Sequence, residues 1–314
     1  MAGGQERILR RRIKSVQATK KITRAMELIA GSRIVRAQQR VHAAMPYSEQ
    51  ITHVVRDLAA AGGEVSSPLL LGHESVRRVG FVALAADRGL CGGYNTGIIR
   101  ATEGEVREQA KAGVDYSLIL VGRKAESYFR FRGYRIDATF SGFSDSPTYE
   151  DARNVAAHVI AAYERGDVDR VELVYTRFAS AGVQEVVRRP LVPLEAEVVE
   201  GEAEHTGPKA DYEMEPSASE ILDTLLPRYV EARVYAGMLN AAASEHAFRQ
   251  RAMKAATDNA EELITTLGRV MNRARQDSIT TEIMEIVGGS EALSGASHAT
   301  HSTRHPLELS EATE

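Results

Sequence analysis

The sequence predicts an α/β protein in which the N- and C-terminal segments form a long antiparallel two-helix coiled coil and an α/β domain is inserted between them. Three observations lead there. Proline-poor segments at both ends carry apolar residues three and four apart. In the middle, short β-branched runs alternate with helical stretches. The composition, 43% hydrophobic but only 6% aromatic with no Trp, is thin for a purely globular core and fits narrow helix–helix seams.

The first helix is expected over 1–60. Between Gln5 and Ala60 lie one glycine, Gly31, and one proline, Pro46, near which a bend is expected. Its apolar positions read Leu9, Ile13, Val16; Ile22, Met26, Ile29; Ile34, Ala37, Val41, Ala44. Such a helix would span roughly 80 Å at about 1.5 Å per residue, longer than a domain is wide. The C-terminal helix is expected over 217–293. Ser217 and Glu220 give a capping start, with a short helix to Leu226 and a second one opened by Pro227. Ala256, Leu263, Val270 and Ala260, Leu267, Ala274 repeat every seven residues as a and d positions would, and Gly288 and Gly289 are expected to stop the helix.

Between them, over 76–200, strands are expected at 79–86, 116–122, 134–140 and 171–178, with helices at 96–112, 123–132 and 150–165. This alternation implies a mainly parallel, Rossmann-like sheet, to which 184–194 adds an antiparallel strand. Thr148 and Asp151 can cap the third helix. The acidic segment 201–216 reads as a loop, and 294–314, without periodicity, as a disordered tail.

The segment DRGLCGGYN (87–95) joins a strand to a helix through three glycines and the only cysteine, with Asn95 a candidate cap. It suggests a phosphate cradle or a nucleophile, and its spacing fits neither. A P-loop needs Gly-Lys-Ser/Thr, where Gly93-Tyr94-Asn95 stands; Gly89, Gly92, Gly93 and Gly97 do not give GxGxxG. Cys91 lacks a marked base. The turn therefore reads as a tight backbone reversal, with no catalytic or cofactor-binding residues. His298, His301 and His305 sit in a context that does not favour a metal site.

Charge is more informative. Across Gln5–Ala44, eleven Arg and Lys residues (Arg7, Arg10, Arg11, Arg12, Lys14, Lys20, Lys21, Arg24, Arg33, Arg36, Arg40) face only Glu6 and Glu27, although the whole chain has a net charge of -4. A basic helix of this kind expects an acidic partner. Nucleic acid fits less well, because the middle is acidic and the helix lacks stacking aromatics. One cysteine excludes an intrachain disulfide. No secretory signal or membrane-spanning stretch is expected. Polar residues, Thr19, Lys20, Asp277 and Ser278, interrupt the apolar stripe.

These motifs together resemble one family. RRRIKSVQATKKITRAMELIAGSRIVRAQ (10–38), DRGLCGGYN (87–95), DYEMEPSASEILDTLLPRYVEARVYAGML (211–239), AMKAATDNAEELI (252–264) and NRARQDSITTEIMEIVGG (272–289) are similar, in order, to the gamma subunit of bacterial F-type ATP synthases. The resemblance covers about residues 5–293. It implies a rotary central stalk that stands in a hexamer of alpha and beta subunits. Its foot would rest beside the epsilon subunit on the membrane c-ring, coupling ring rotation to ATP formation on beta. It implies no cofactor, no metal, no catalytic residue in the chain itself, and peripheral attachment, through the complex only, at the cytoplasmic face of the plasma membrane. By residue, it places Met26, Arg249, Arg275, Gln276 and Cys91 at rotor–stator contacts and Tyr212 in the foot near the c-ring. The tail 294–314 has no counterpart, and the acidic stretch 196–210 is variable. The other reading is a nucleotide-binding Rossmann-like protein with a coiled-coil dimeriser.

Overall fold

The computed structural model describes residues 2–60, 67–70, 72–73, 75–194, 215 and 217–299. Helix α1 is Ala2–Ala60. There follow β1 (Arg78–Leu84), α2 (Tyr94–Lys111), β2 (Asp115–Val121), α3 (Arg123–Phe131), β3 (Ala138–Phe140), α4 (Tyr149–Glu164), β4 (Arg170–Phe178) and β5 (Gln184–Val192). Helix α5 is Ala218–Ala299. The chain divides into two units, one of Met1–Ile22 with Ala256–Glu314 and one of Thr23–Ala255.

The larger unit holds a five-stranded sheet in the order β3-β2-β1-β4-β5. β1, β2, β3 and β4 run parallel, and β5 is antiparallel at the edge of β4. Strand period decides the layers. Val79, Phe81, Ala83, Leu118 and Leu120 face α2 and α3, where Ile98, Val106, Ala125 and Phe129 cover them. Val82, Leu84, Ile119, Val121 and Leu173 face the other way. There α4 supplies Val155 and Val159, α5 supplies Leu226, Tyr229 and Val234, and the end of α1 supplies Ile51, Val55 and Leu58. Pro190 is tolerated in β5 because that strand is an edge. The Thr148–Asp151 capping box starts α4 as expected. β3 is shorter than the expected 134–140. Arg135 N donates to the Tyr116 hydroxyl (3.2 Å) and Asp137 N to Leu118 O (2.9 Å), and the regular ladder begins only at Ala138.

The two helices pair antiparallel. In the larger unit Gly31 lies against Gln250, and Ala37 lines a cleft with Leu239 and Ala242. In the smaller unit Lys20 Nζ meets Glu261 Oε1 at 3.0 Å. The seam corrects the expected one. On α1 the shielded positions are Leu9, Ile13, Val16, Lys20, Thr23, Glu27, Ala30, Ile34, Ala37, Val41 and Ala44. Ile22 and Ile29, expected inside, are 61% and 54% exposed. A seam of alternating three- and four-residue steps cannot step sideways to Ile22 and return at Ile34. The apolar residues lose the seam to polar ones that find partners: Arg24 Nη1 donates to both Glu27 oxygens at 2.9 Å. On α5 the d positions Ala260, Leu267 and Ala274 are shielded as expected. The a positions move by one residue, from Ala256, Leu263 and Val270 to Thr257, Ile264 and Met271, and Leu263 and Val270 are exposed.

Both prolines lie inside continuous helices. A helical proline costs about 3 kcal/mol. Around Pro227 this is outweighed by Leu222, Leu226, Tyr229 and Val230, all buried in one core. No break separates the expected short helix from the long one; Ser217 does cap the start, its Oγ accepting from Glu220 N at 3.3 Å. Gly288 and Gly289 do not end α5. Neither takes the positive φ a glycine stop requires, and the helix continues to Ala299. The expected tail is therefore helical up to that residue. The remainder, 300–314, and nearly all of the acidic loop lie outside the described residues.

Gly122, at the step from β2 to α3, has φ 97°, and a Cβ there would stand 2.2 Å from Ala85 O. Gly93 has open space around it. Gly122→Ala should therefore destabilise the chain by at least ~2 kcal/mol, while Gly93→Ala stays within about 0.5 kcal/mol of the parent. Urea unfolding of the two variants checks this.

Candidate functional site

DRGLCGGYN begins where β1 ends. Asp87, at its head, is an organiser. Its carboxylate accepts from Arg123 N (3.1 Å), Gly142 N (2.8 Å) and Ser144 N (3.1 Å), and Asp87 N donates to Ser144 Oγ (2.9 Å). One side chain thus ties together the loops that follow β1, β2 and β3. Burial alone would raise its pKa, but the three backbone N–H donors and the Ser144 hydroxyl outweigh it and hold the carboxyl below its usual range.

Asn95 is not a cap. It lies within α2, and the cap position is Gly93, which has no side-chain bond to offer. Asn95 instead closes the turn from inside: its Oδ1 accepts from Ala86 N (2.9 Å) and its Nδ2 donates to Cys91 Sγ (3.1 Å). Cys91 is 2% exposed and packs with Ala86, Tyr94 and Phe248. Burial, countered in part by Arg249, pushes its thiol pKa up, the reverse of an activated nucleophile. Its side chain faces inward, against Ala86, Tyr94 and Phe248. The turn shows Leu90 outward, 61% exposed at φ 60°, beside exposed Arg88, Gly92 and Gly93.

In an open α/β sheet, a ligand takes the crevice beyond the strand ends, where the order reverses. Here the reversal falls between β1 and β4, and α5 fills that place. Gly237 brings the helix onto Leu173 and Leu84, so close that a Cβ would stand 2.7 Å from Leu173 Cδ2. Further along, Phe178 N donates to Asn240 Oδ1 (3.2 Å) and Ser244 Oγ to Thr176 O (3.1 Å). Gly92, at φ 54°, turns the backbone against Ala252 and Phe248. Where a dinucleotide would rest there is a helix, which removes the physical basis for the nucleotide-binding reading.

Arg249 also belongs to this joint. It is 9% exposed, bonds Glu245 at 2.6 Å and reaches Gly89 O at 3.4 Å. Glu245 is buried, and burial raises its carboxyl pKa against the pull of Arg249. Within the chain Arg249, expected at a rotor–stator contact, binds α5 to the turn. Arg251, two residues on, covers the Phe248 ring at 4.7 Å and donates to Ala181 O at 2.6 Å. Sequence reasoning missed Asp87 and Glu245, although an acid two residues before a glycine in a strand-end turn was a signal for the first.

The other sequence-derived residues stand apart from this joint. Met26 is half-buried beside the α1 seam, and Arg275 and Gln276 are exposed on α5. Tyr212, like His301 and His305, lies outside the described residues. Six basic side chains of α1 (Arg7, Arg11, Arg12, Lys14, Lys21 and Arg36) are exposed and have no ion pair or hydrogen bond among the described residues.

Two outcomes follow from the joint. Arg249→Ala leaves the Glu245 carboxylate buried and unpaired, and should cost roughly 3–5 kcal/mol, most of it regained in Glu245→Gln/Arg249→Met; thermal unfolding of the full chain reads both. Asp87→Asn should lose about 1–3 kcal/mol at neutral pH by setting an NH2 against backbone donors. Because the folded pKa is depressed, the native contribution is full above the ordinary 3.8 and disappears as pH falls through the folded value. Parent and variant stabilities should therefore converge in acid, as denaturant titrations at several pH values would show.

The family described as ATP synthase matches residues 5–293. The chain is 50% identical over 294 residues to the ATP synthase gamma chain of Frankia casuarinae, covering 92% of this chain and 98% of that one. It is 46% identical over 304 residues to the same-named chain of Mycolicibacterium smegmatis, covering 92% and 98%. Among solved structures, a chain of the Euglena gracilis mitochondrial ATP synthase (OSCP/F1/c-ring) superposes with a TM-score of 0.65 at 17% identity, covering 99% of this chain and 100% of that one. A chain of the Tetrahymena thermophila mitochondrial ATP synthase central stalk and c-ring gives a TM-score of 0.56 at 20% identity, covering 75% and 99%. With its sheet crevice closed by its own helix and its sequence matched from end to end of these relatives, the chain belongs to the gamma-chain family of the F-type ATP synthases.

Proposed function

We propose that the chain is the rotating central stalk of a proton-driven F-type ATP synthase, turned by the c-ring and acting on the catalytic beta subunits. The observation that carries this reading is α5 itself. Its first half is core to the α/β domain and its second half pairs with α1. A torque applied to the domain is thus delivered to a helix that has no loop at the junction.

The chain supplies shape and charge, and ATP forms elsewhere. The exposed, unpaired cations of α1 offer diffuse attraction to acidic levers on beta. Exposed pairs of this kind are worth about 0–1 kcal/mol each, weak enough for the contacts to break and re-form as the rotor turns. Arg275 and Gln276 are placed for the catch loops of beta, with Met26 beside the seam where the levers pass. At the lower rim the contact falls to Leu90, since Cys91 faces inward. Alpha and epsilon subunits complete the surroundings, and Tyr212 with its acidic loop belongs to the foot near the c-ring. No described helix is long and apolar enough to cross a membrane. Attachment is peripheral, through the complex, at the cytoplasmic face of the plasma membrane.

In membrane vesicles, Arg275→Ala/Gln276→Ala should lower proton-driven ATP synthesis several-fold while the complex still assembles with one copy of this chain. Cys91→Ala should leave synthesis within about twofold of the parent, because only a small buried contact is lost. The reverse order of effects would sink the assignment of the contacts. A chain that purifies without alpha, beta and epsilon subunits would sink the reading as a whole.

A further inference from the structure

Within the larger unit, the loop between β3 and α4, residues 141–147, reaches both long helices, and Asp145 is the point where they meet. Its Oδ2 accepts from Arg33 Nη1 of α1 at 2.6 Å, and its carbonyl oxygen lies 3.0 Å from Nε2 of the buried His246 on α5. A carbonyl oxygen only accepts, so Nε2 carries the hydrogen. The next loop residue, Ser146, accepts from Arg40 Nη1 at 2.8 Å. Arg33 and Arg40 stand two helical turns apart and so project from one flank of α1, beside the seam residues Ile34, Ala37 and Val41.

The loop is held along its length. Asp87 takes its Gly142 N (2.8 Å) and Ser144 N (3.1 Å), and Ser146 N donates to Phe143 O at 3.0 Å. It ends at Thr148, which the α4 capping box fixes. A stiff loop on a helix flank supplies what the seam cannot. The seam here is made of small contacts: Gly31 against Gln250, and Ala37 near Leu239 and Ala242. Apolar contact is non-directional, so it keeps α1 close to α5 and resists rolling and sliding only weakly. Hydrogen bonds have preferred angles, and a pair of them two turns apart sets both roll and register.

Their place along the helix matters too. The anchorage of α1 in the α/β core lies at Ile51, Val55 and Leu58. Met26 stands roughly 38 Å from Ile51 along the helix and only roughly 10 Å from Arg33. The twist of a rod under a given torque grows with its free length. The loop therefore shortens the slack between the domain and Met26 by about three- to fourfold.

We propose that Asp145 is a positioning residue of the rotor: held by Arg33 and His246 at once, it locks the roll of α1 to α5 and the α/β domain, so that force on α1 near Met26 turns the domain with it. This rests on the rotor reading and adds to it an internal bond through which coupling passes.

Membrane vesicles that carry the whole complex test it through one ratio, protons pumped per ATP hydrolysed, which does not depend on how much complex is present. In Asp145→Ala the ratio should fall several-fold while ATP hydrolysis continues. The melting temperature of the chain should stay within ~3 °C of the parent, since a half-exposed ion pair adds little stability. Arg33→Glu should lose coupling as well, and Arg33→Glu/Asp145→Arg should recover most of it by re-forming the pair with its charges exchanged. Arg153→Ala, which breaks an exposed pair within α4, should pump like the parent. The proposal is overturned if Asp145→Ala keeps the parent's ratio, or if the exchanged pair stays as uncoupled as Arg33→Glu alone. The second result would mean that Arg33 serves an acidic partner instead. Parent vesicles without ATP-driven pumping would overturn the rotor reading and this proposal with it, whereas a coupled parent beside an unaffected Asp145→Ala removes the proposal alone.

Discussion

Everything distinctive about the larger unit depends on one contact: α5 lies against the ends of β1 and β4, with only a glycine between helix and strand. At Gly237 the helix backbone comes within reach of Leu173 and Leu84. The approach gives α5 a place in the sheet's own core, from Leu222 to Ala241. It also closes the crevice that this fold class elsewhere leaves open for ligands. The glycine-rich turn follows from the same contact. Gly92 turns the chain in the space that Ala252 and Phe248 leave.

A closed crevice brings charges inside, and they are matched there. Glu245 and Arg249 sit one helical turn apart at 2.6 Å, nearly out of water. Such a pair adds little net stability over apolar residues, since desolvation offsets most of the attraction. What it does add is position: Arg249 has one low-energy place, between its carboxylate and the Gly89 carbonyl. Asp87 does the same at the strand ends, where three backbone N–H groups leave its carboxylate no freedom.

Much of this was legible in the sequence, because it depends on local periodicity. Strand alternation in 79–86 and 116–122, the Thr148 capping box and the absence of a phosphate fingerprint in DRGLCGGYN all rest on neighbours in the chain. The misreadings share another cause. Ile22, Ile29, Leu263 and Val270 were assigned to the seam as apolar residues at helical spacing, yet which stripe becomes the seam is set by the partner helix. Lys20 and Glu27 belong to it because Glu261 and Arg24 neutralise them. Pro227 read as a boundary because a proline's local cost is visible in sequence and the core around it is not. The internal pairing of Arg249 was not legible because Glu245, its partner, lay one turn away with nothing to mark it as buried.

The unbroken alternation of three- and four-residue steps on α1 also limits how this chain can change in length. Adding or removing a single residue within either paired helix turns every later side chain by about 100°. Lys20 would leave Glu261, and Ala260 and Leu267 would face solvent. Seven residues restore the stripe almost fully, and three or four only by locally winding or unwinding the pair. Insertions and deletions that preserve the fold therefore belong in the connections, or in the paired helices in sevens.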